Sequence, residues 1–507
     1  MSRIGLFDIE QDYLMTISAD DQEVPPVHYR NDVIYLFAAF VSVFLLWAVT
    51  MPLFAAPDEQ WHMVNAQGYA RLDLTNPFTT DGIPVDAGSC YQFFPTITAS
   101  CMELVWETPG TEVISRATDY PPVSHLIAAL PATVVDGVSG AYVMRLWMAA
   151  VVAGVFTCAG ALYLRSVSNR RHGIAALALA TTPMVAFMSG AVSPSGLTAA
   201  AASLGVAACL HVRAVGVRRV NAWGLLIASA LVVGSRRDGF VWAAVMSISL
   251  IPFVWGAVRV SWRRHGLRAK LTAVVAAVAL GGLAGRRLVE YGVDFVQRHS
   301  VDVSGLRLEA RGSFLELTYL RDLIGRFGWL DTRLPNVVYW LVIIAVFVWV
   351  ASRWMEANAS ERWAAGLSIL AIFCAPLIVG IFRSPYMQGR YLFPVWCTAM
   401  LVLGATSVQH RTTRWHRVLG IPVVLVWPAV HVVSWYVTLR RHTVGIDGPL
   451  VFWRWEDWSP PVIGVAGALL CATLTATIVA WALVSLARRV PNGCEPRRSS
   501  LHCRDAD

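Results

Sequence analysis

The chain has 507 residues, 56% of them hydrophobic and 15% charged, with a formal net charge of +8; its pI is about 9.1 and its mean hydropathy is +0.54. Soluble domains carry about a quarter charged residues, so this composition excludes a soluble globular protein. The basic balance does not point to nucleic acid, because Lys and Arg fall in short connectors between apolar runs, where the positive-inside bias accounts for them.

Residues 1–32 are polar and acidic, with Asp8, Glu10, Asp12, Asp20, Asp21 and Glu23. They lack the basic start and apolar core of a cleaved signal, so they read as a cytoplasmic tail that is retained. Residues 33–487 form the membrane domain. The first span is expected at Val33–Phe54, and a long polar segment follows over 55–140. Its length and its Pro, Gly and Thr content predict a folded loop with short helices. Tyr120–Val135, apolar but opened by a proline pair, reads as a helix at or dipping into the interface. Further spans are expected at Ala141–Leu164, Gly173–Gly190, Pro194–Val212, Trp223–Gly234 (too short to cross unaided), Phe240–Val258 and Leu271–Gly285. A second polar segment covers 286–335. The remaining runs are Asn336–Ser352, Ala364–Phe382, Tyr391–Val408, Val418–Tyr436 and Val462–Leu486, before a basic tail at 488–507.

A crossing needs about 20 predominantly apolar residues, and these runs predict an all-α polytopic membrane protein of about twelve transmembrane helices. With the N-terminus cytoplasmic, alternation places every short Arg-rich connector and both termini inside. The two long polar segments and the connector Arg383–Arg390 then lie outside. The expected location is the plasma membrane. Five cysteines (Cys158, Cys209, Cys374, Cys397, Cys471) fall in apolar runs and read as core residues. Cys90 and Cys101 share the first polar segment, where an external location permits a disulfide.

The stretch that invites a chemical reading is Pro57-Asp58-Glu59-Gln60-Trp61-His62, where the chain leaves the first apolar run. Helical spacing sets His62 four residues after Asp58 and three after Glu59, a placement that can aim all three into one cavity. A bland reading is open as well: a proline and two acids suit the first turn of a helix. Ionisable groups at the membrane boundary that face a cavity are functional by default. Carboxylates suit Mg or Mn, which leaves a divalent cation on Asp58 or Glu59 as an open reading; no zinc-type Cys/His spacing is present. The Arg residues near span ends, Arg390, Arg383, Arg236 and Arg237, read either as anion-binding groups or as side chains reaching for headgroups. Asp119 and Asp331 read as cavity carboxylates or as loop acids.

A carboxylate pair at the outer end of the first span, before a long external loop, resembles the GT-C class of membrane glycosyltransferases. The chain more closely resembles a family of predicted bacterial membrane proteins, common in actinobacteria, catalogued as domain of unknown function 2142. The matching pieces are Pro57-Asp58-Glu59 with His62, Tyr120-Pro121-Pro122, Ser193-Pro194-Ser195-Gly196, Phe327-Gly328-Trp329-Leu330-Asp331 and Gln388-Gly389-Arg390-Tyr391-Leu392-Phe393-Pro394. Ser195 stands where that family usually has Asp, and Ser124-His125 where it commonly has an aromatic pair.

The GT-C resemblance implies a polyprenyl-phosphate-sugar donor, and a cell-envelope glycan or lipid acceptor on the outer face. Asp58 is then the base that takes the acceptor's proton, with Glu59 and His62 beside it. Arg390 leads the candidates for meeting the departing phosphate, with Arg383, Arg236 and Arg237 behind it, and Tyr120 and Asp331 complete the expected binding set. The same features also suit a flippase for a lipid-linked saccharide, although transporters often show two corresponding halves and none is seen here. A non-catalytic partner in envelope synthesis is the third reading.

Overall fold

The structure is a computed structural model and describes residues 26–73, 78–80, 82–102, 111–264, 318–382, 388–406 and 414–488, with isolated positions between 265 and 286. Within these are fifteen α-helices and two short two-stranded antiparallel sheets. In chain order the first half contains α1 (Pro26–Thr50), α2 (Glu59–Ala70), β1 (Phe78–Thr80), β2 (Thr111–Val113), α3 (Val123–Ala132), α4 (Gly137–Ser166), α5 (Arg170–Ala180), α6 (Pro183–Ser189), α7 (Pro194–Val215), α8 (Arg219–Ser235) and α9 (Gly239–Arg264). The second half contains α10 (Thr318–Gly325), β3 (Arg326–Phe327), β4 (Thr332–Arg333), α11 (Asn336–Glu356), α12 (Ala359–Phe382), α13 (Phe393–Gly404), α14 (Arg414–Val444) and α15 (Gly464–Ala487).

Among the described residues, α1 from Arg30, α4, α7, α9 up to Val260, α11 and α15 are long and apolar enough to cross a membrane, six in all, or seven if α5 and α6 count as one bent span. This is fewer than the twelve apolar runs. Two runs fold as helices too short for a full crossing: α8 has 17 residues and α13 has 12. At about 1.5 Å per residue, α13 extends only about 18 Å, short of the roughly 30 Å hydrocarbon core. The run Leu271–Gly285 lies outside the continuously described residues.

The expected span Gly173–Gly190 is two helices bent by 63°. Thr182 caps the second, its hydroxyl accepting from the Val185 amide at 3.1 Å, and Pro183 occupies its first turn. Proline there costs no hydrogen bond but cannot continue the preceding helix. The Thr181 carbonyl freed by the break accepts from Trp427 Nε1 (3.1 Å) and His431 Nε2 (3.0 Å), which satisfies it without water.

α7 is the central element. Its Ala- and Gly-rich sequence lets backbones approach closely, its apolar window is wholly buried, and it packs against α4, α8, α9 and α13. The corresponding windows of α11 and α15 are 22% and 11% buried, which puts these helices at the periphery.

Beyond Thr50 the polar segments build a cap over one end of the bundle. The Tyr91 hydroxyl donates to the Leu53 carbonyl (2.7 Å), Trp329 Nε1 to Phe54 (2.9 Å) and Arg390 Nη1 to Pro57 (3.1 Å). Cys90 and Cys101 form the expected disulfide.

Candidate functional site

Asp58 precedes α2 with φ +67°, a left-handed conformation uncommon outside glycine, although Asp and Asn tolerate it best. It occupies the cap position of a helix with Glu59 in its first turn, as the bland reading expects, but its side chain makes no capping hydrogen bond. The carboxylate instead accepts from Arg390 Nη2 at 2.7 Å. The Asp58 side chain is 36% exposed and that of Arg390 only 3%. Arg390 sits in a 3₁₀ turn, Gly389–Leu392, at the start of α13. Burial works most strongly against its charge, but Asp58, Tyr391 and Tyr120 together outweigh that and hold the guanidinium above its ordinary range.

Glu59 turns the other way, into the core. It is fully buried and takes four donors: Arg145 Nε (2.7 Å) and Nη2 (2.5 Å), and the amides of Phe54 and Val192 (3.0 Å each). A carboxylate has about four acceptor positions, so Glu59 has none left for a metal ion or a substrate. Arg145, on α4, also donates to the carbonyls of Met51 (2.8 Å) and Pro52 (2.7 Å). The pair thus ties α4, the end of α1 and the turn between α6 and α7 to one point. Arg145 was not among the expected site residues; a lone Arg inside an apolar run is the signal that marks it.

His62 goes a third way. Its Nδ1 lies 2.9 Å from Nε2 of His125 on α3, and its ring packs edge-on against Tyr120 at 4.9 Å between centroids. The spacing Asp58, Glu59, His62 therefore does not aim three side chains into one cavity, because helical geometry begins only at Glu59. Burial, reinforced by Arg390 and Arg236, pushes the His62 imidazole down to about 3. Burial, then His62, also takes His125 well below the usual imidazole range. Both are neutral at pH 7.

Arg236 enters from the turn between α8 and α9. It is buried and pairs through Nε and Nη2 with both oxygens of Asp238 (2.8 and 3.1 Å), while Nη1 donates to Ser195 Oγ at 2.9 Å. Its guanidinium lies 4.8 Å from the centre of the Tyr391 ring and that of Arg390 5.6 Å. Burial raises the Tyr120 phenol, and Arg236 and Arg390 oppose that rise. Asp58, His62, Tyr120, Ser195, Arg236, Arg390 and Tyr391 thus form one polar cluster. Ser195 joins it through Arg236, and His125 touches it through His62.

The other expected residues lie elsewhere. Arg237 pairs with Asp119 at 2.5 Å, both partly exposed. Asp331 accepts from Arg441 Nη2 at 2.8 Å, and Arg441 also donates to the carbonyls of Tyr91, Phe94 and Ile97 around the disulfide turn. Asp331 therefore belongs to a second, structural cluster. Arg383 lies outside the described residues. Among the described residues no group of three or more His, Cys, Asp or Glu side chains is placed to hold a metal ion. A cavity of about 150 Å³ between α1, α5, α14 and α15 is lined mainly by apolar side chains and includes none of the expected site residues.

No curated protein and no solved structure matches the chain. The family model described as "Predicted membrane protein (DUF2142)" matches residues 41–402. That match takes in Asp58, His62, Tyr120, His125, Ser195, Arg236 and Arg390, and covers most of the chain, which thus belongs to the DUF2142 family of predicted membrane proteins.

Proposed function

We propose that this protein is a membrane glycosyltransferase of GT-C type, moving a sugar from a polyprenyl-phosphate donor to a cell-envelope glycan or lipid acceptor. The observation that carries the reading is the accessible Asp58 carboxylate held 2.7 Å from the buried Arg390 guanidinium, with Arg236 across Tyr391. Glycosyl transfer from a phosphate needs both halves of that arrangement. The acceptor hydroxyl oxygen attacks the anomeric carbon, and the bond from that carbon to the phosphate oxygen breaks. The phosphate leaves with the bonding electron pair, and the hydroxyl proton passes to Asp58, inverting the anomeric centre. A positioned carboxylate serves as the proton acceptor, and preorganised guanidiniums meet the negative charge that develops on the phosphate.

Buried cationic side chains at the end of a membrane bundle suit a headgroup at that depth. The disulfide in the same cap accords with an oxidising, external face, and the Arg-rich connectors between spans accord with a cytoplasmic opposite face. Glu59 is assigned to holding Asp58 in place rather than to chemistry, and Asp331 to the disulfide turn.

The test is sugar transfer by the purified, reconstituted protein, using pooled polyprenyl-phosphate-sugars from native membrane. The expected result is transfer by wild type and none by a folded Asp58→Asn variant. Equal transfer by both removes Asp58 from the chemistry. No donor consumption, with labelled lipid changing leaflet, replaces the enzyme with a flippase.

A further inference from the structure

We infer that Asp58 is a displaceable plug in a phosphate socket formed by Arg390, so that donor binding itself releases the base; this rests on the reading above that the site takes a lipid-borne phosphate. The Nε and Nη2 nitrogens of a guanidinium form a two-pronged edge matched to two oxygens of a carboxylate or phosphate. Two buried arginines of the same cap use that edge in full: Arg145 on both oxygens of Glu59, and Arg236 on both oxygens of Asp238. Arg390 does not. Its Nη2 holds one Asp58 oxygen and its Nη1 holds the Pro57 carbonyl, while its Nε is buried with no hydrogen-bond partner among the described residues.

A buried donor left unmatched is costly, and a ligand bringing two oxygens to Nε and Nη2 recovers that cost on binding. The pair also opens on the correct side. Arg390 is anchored and 3% exposed, whereas Asp58 is 36% exposed and sits on a strained backbone at φ +67°. An arriving oxyanion therefore meets the carboxylate first and displaces the more exposed side chain of the pair. Displaced from the guanidinium, Asp58 regains the oxygen that Arg390 Nη2 occupies and can turn it toward the acceptor hydroxyl. Gly389 keeps the socket still, because it packs against the α10 backbone with no room for a side chain: an added Cβ meets the Leu323 amide nitrogen at 2.2 Å and the Tyr319 carbonyl at 2.4 Å.

The experiment titrates hexyl phosphate and, separately, inorganic phosphate into the full-length protein in dodecyl maltoside, a detergent without phosphate. Wild type, Asp58→Asn and Arg390→Lys are compared, with melting temperatures confirming their folding. Removing a competitor must tighten binding, so Asp58→Asn is expected to bind hexyl phosphate about tenfold more tightly than wild type or better, about 1.4 kcal/mol. Arg390→Lys keeps the charge but lacks the edge and is expected to bind at least about tenfold more weakly.

Unchanged or weaker binding by Asp58→Asn overturns the plug. Equal affinity for inorganic and hexyl phosphate overturns the lipid-borne source. Asn tolerates a left-handed backbone; should that variant not fold, Asp58→Gly, which has least objection to φ +67°, takes its place with the same expected sign. Tighter binding without transfer by wild type retains the socket and removes the glycosyltransferase reading. Transfer by wild type with unchanged binding in Asp58→Asn does the reverse.

Discussion

Glu59→Gln separates a structural carboxylate from a catalytic one, and its cost follows from the contacts around it. The wild-type side chain is an anion meeting four donors, two of them on the buried Arg145. The amide keeps one acceptor oxygen and turns an NH₂ group toward donors, so at least one of the four loses its partner and Arg145 loses its counter-charge. Breaking a buried pair from one side costs about 3–5 kcal/mol, out of a typical total of about 5–15 kcal/mol. Thermal unfolding in detergent is expected to show a large fall in Tm or loss of folded protein. Arg145→Met alone is expected to destabilise comparably, since it strands Glu59 and frees the Met51 and Pro52 carbonyls. The double variant should lose clearly less than the sum of the two, because residues sharing one network do not add. A folded Glu59→Gln protein with near wild-type Tm and no transfer would refute this reasoning and make Glu59 catalytic.

Acid should loosen the cap through His62. Its pKa is about 3 when folded and about 6.5 when unfolded, so the unfolded chain binds more protons between these values. Stability from this group is complete above pH 6.5 and falls by up to about 1.4 kcal/mol per unit as pH drops toward 3; His62→Gln should flatten a Tm-versus-pH curve there. Asp322 runs the opposite way, raised by burial to about 6. The folded protein holds its proton longer than the unfolded chain, so stability falls as pH rises from about 4 to 6, and Asp322→Asn should remove that fall. Reducing Cys90–Cys101, which are 11 residues apart in sequence, should cost about 3 kcal/mol in the chain-entropy view, measured as a fall in Tm with dithiothreitol and in the double serine variant. Gly389→Ala should cost at least the roughly 1–3 kcal/mol of an overpacked core, because its obstacles are backbone atoms of α10; a Tm equal to wild type would count against the close approach.

The class of the protein and the positions of many of its helices were legible in the sequence. A long apolar run has to form a helix in lipid, where each backbone group needs an internal partner, so α1, α4, α7, α11 and α15 fall close to their apolar runs. The break between α5 and α6 was written there too, as Thr182 before Pro183, but hydropathy averages over such a signal. Cys90 and Cys101 share one polar segment, and their pairing was legible on those grounds. How adjacent residues divide their work was not. Asp58 and Glu59 are neighbours, yet one faces Arg390, 332 residues away, and the other Arg145, 86 residues away. A left-handed Asp58 and a helix that begins one residue later send the two carboxylates apart. Local spacing cannot encode a partner brought in from another helix, and the charge of a buried carboxylate is settled by that partner. The sequence determined that acids stand at the end of the first span; only the tertiary structure decided that Glu59 pairs with Arg145 in the core while Asp58 stays accessible beside a half-used guanidinium.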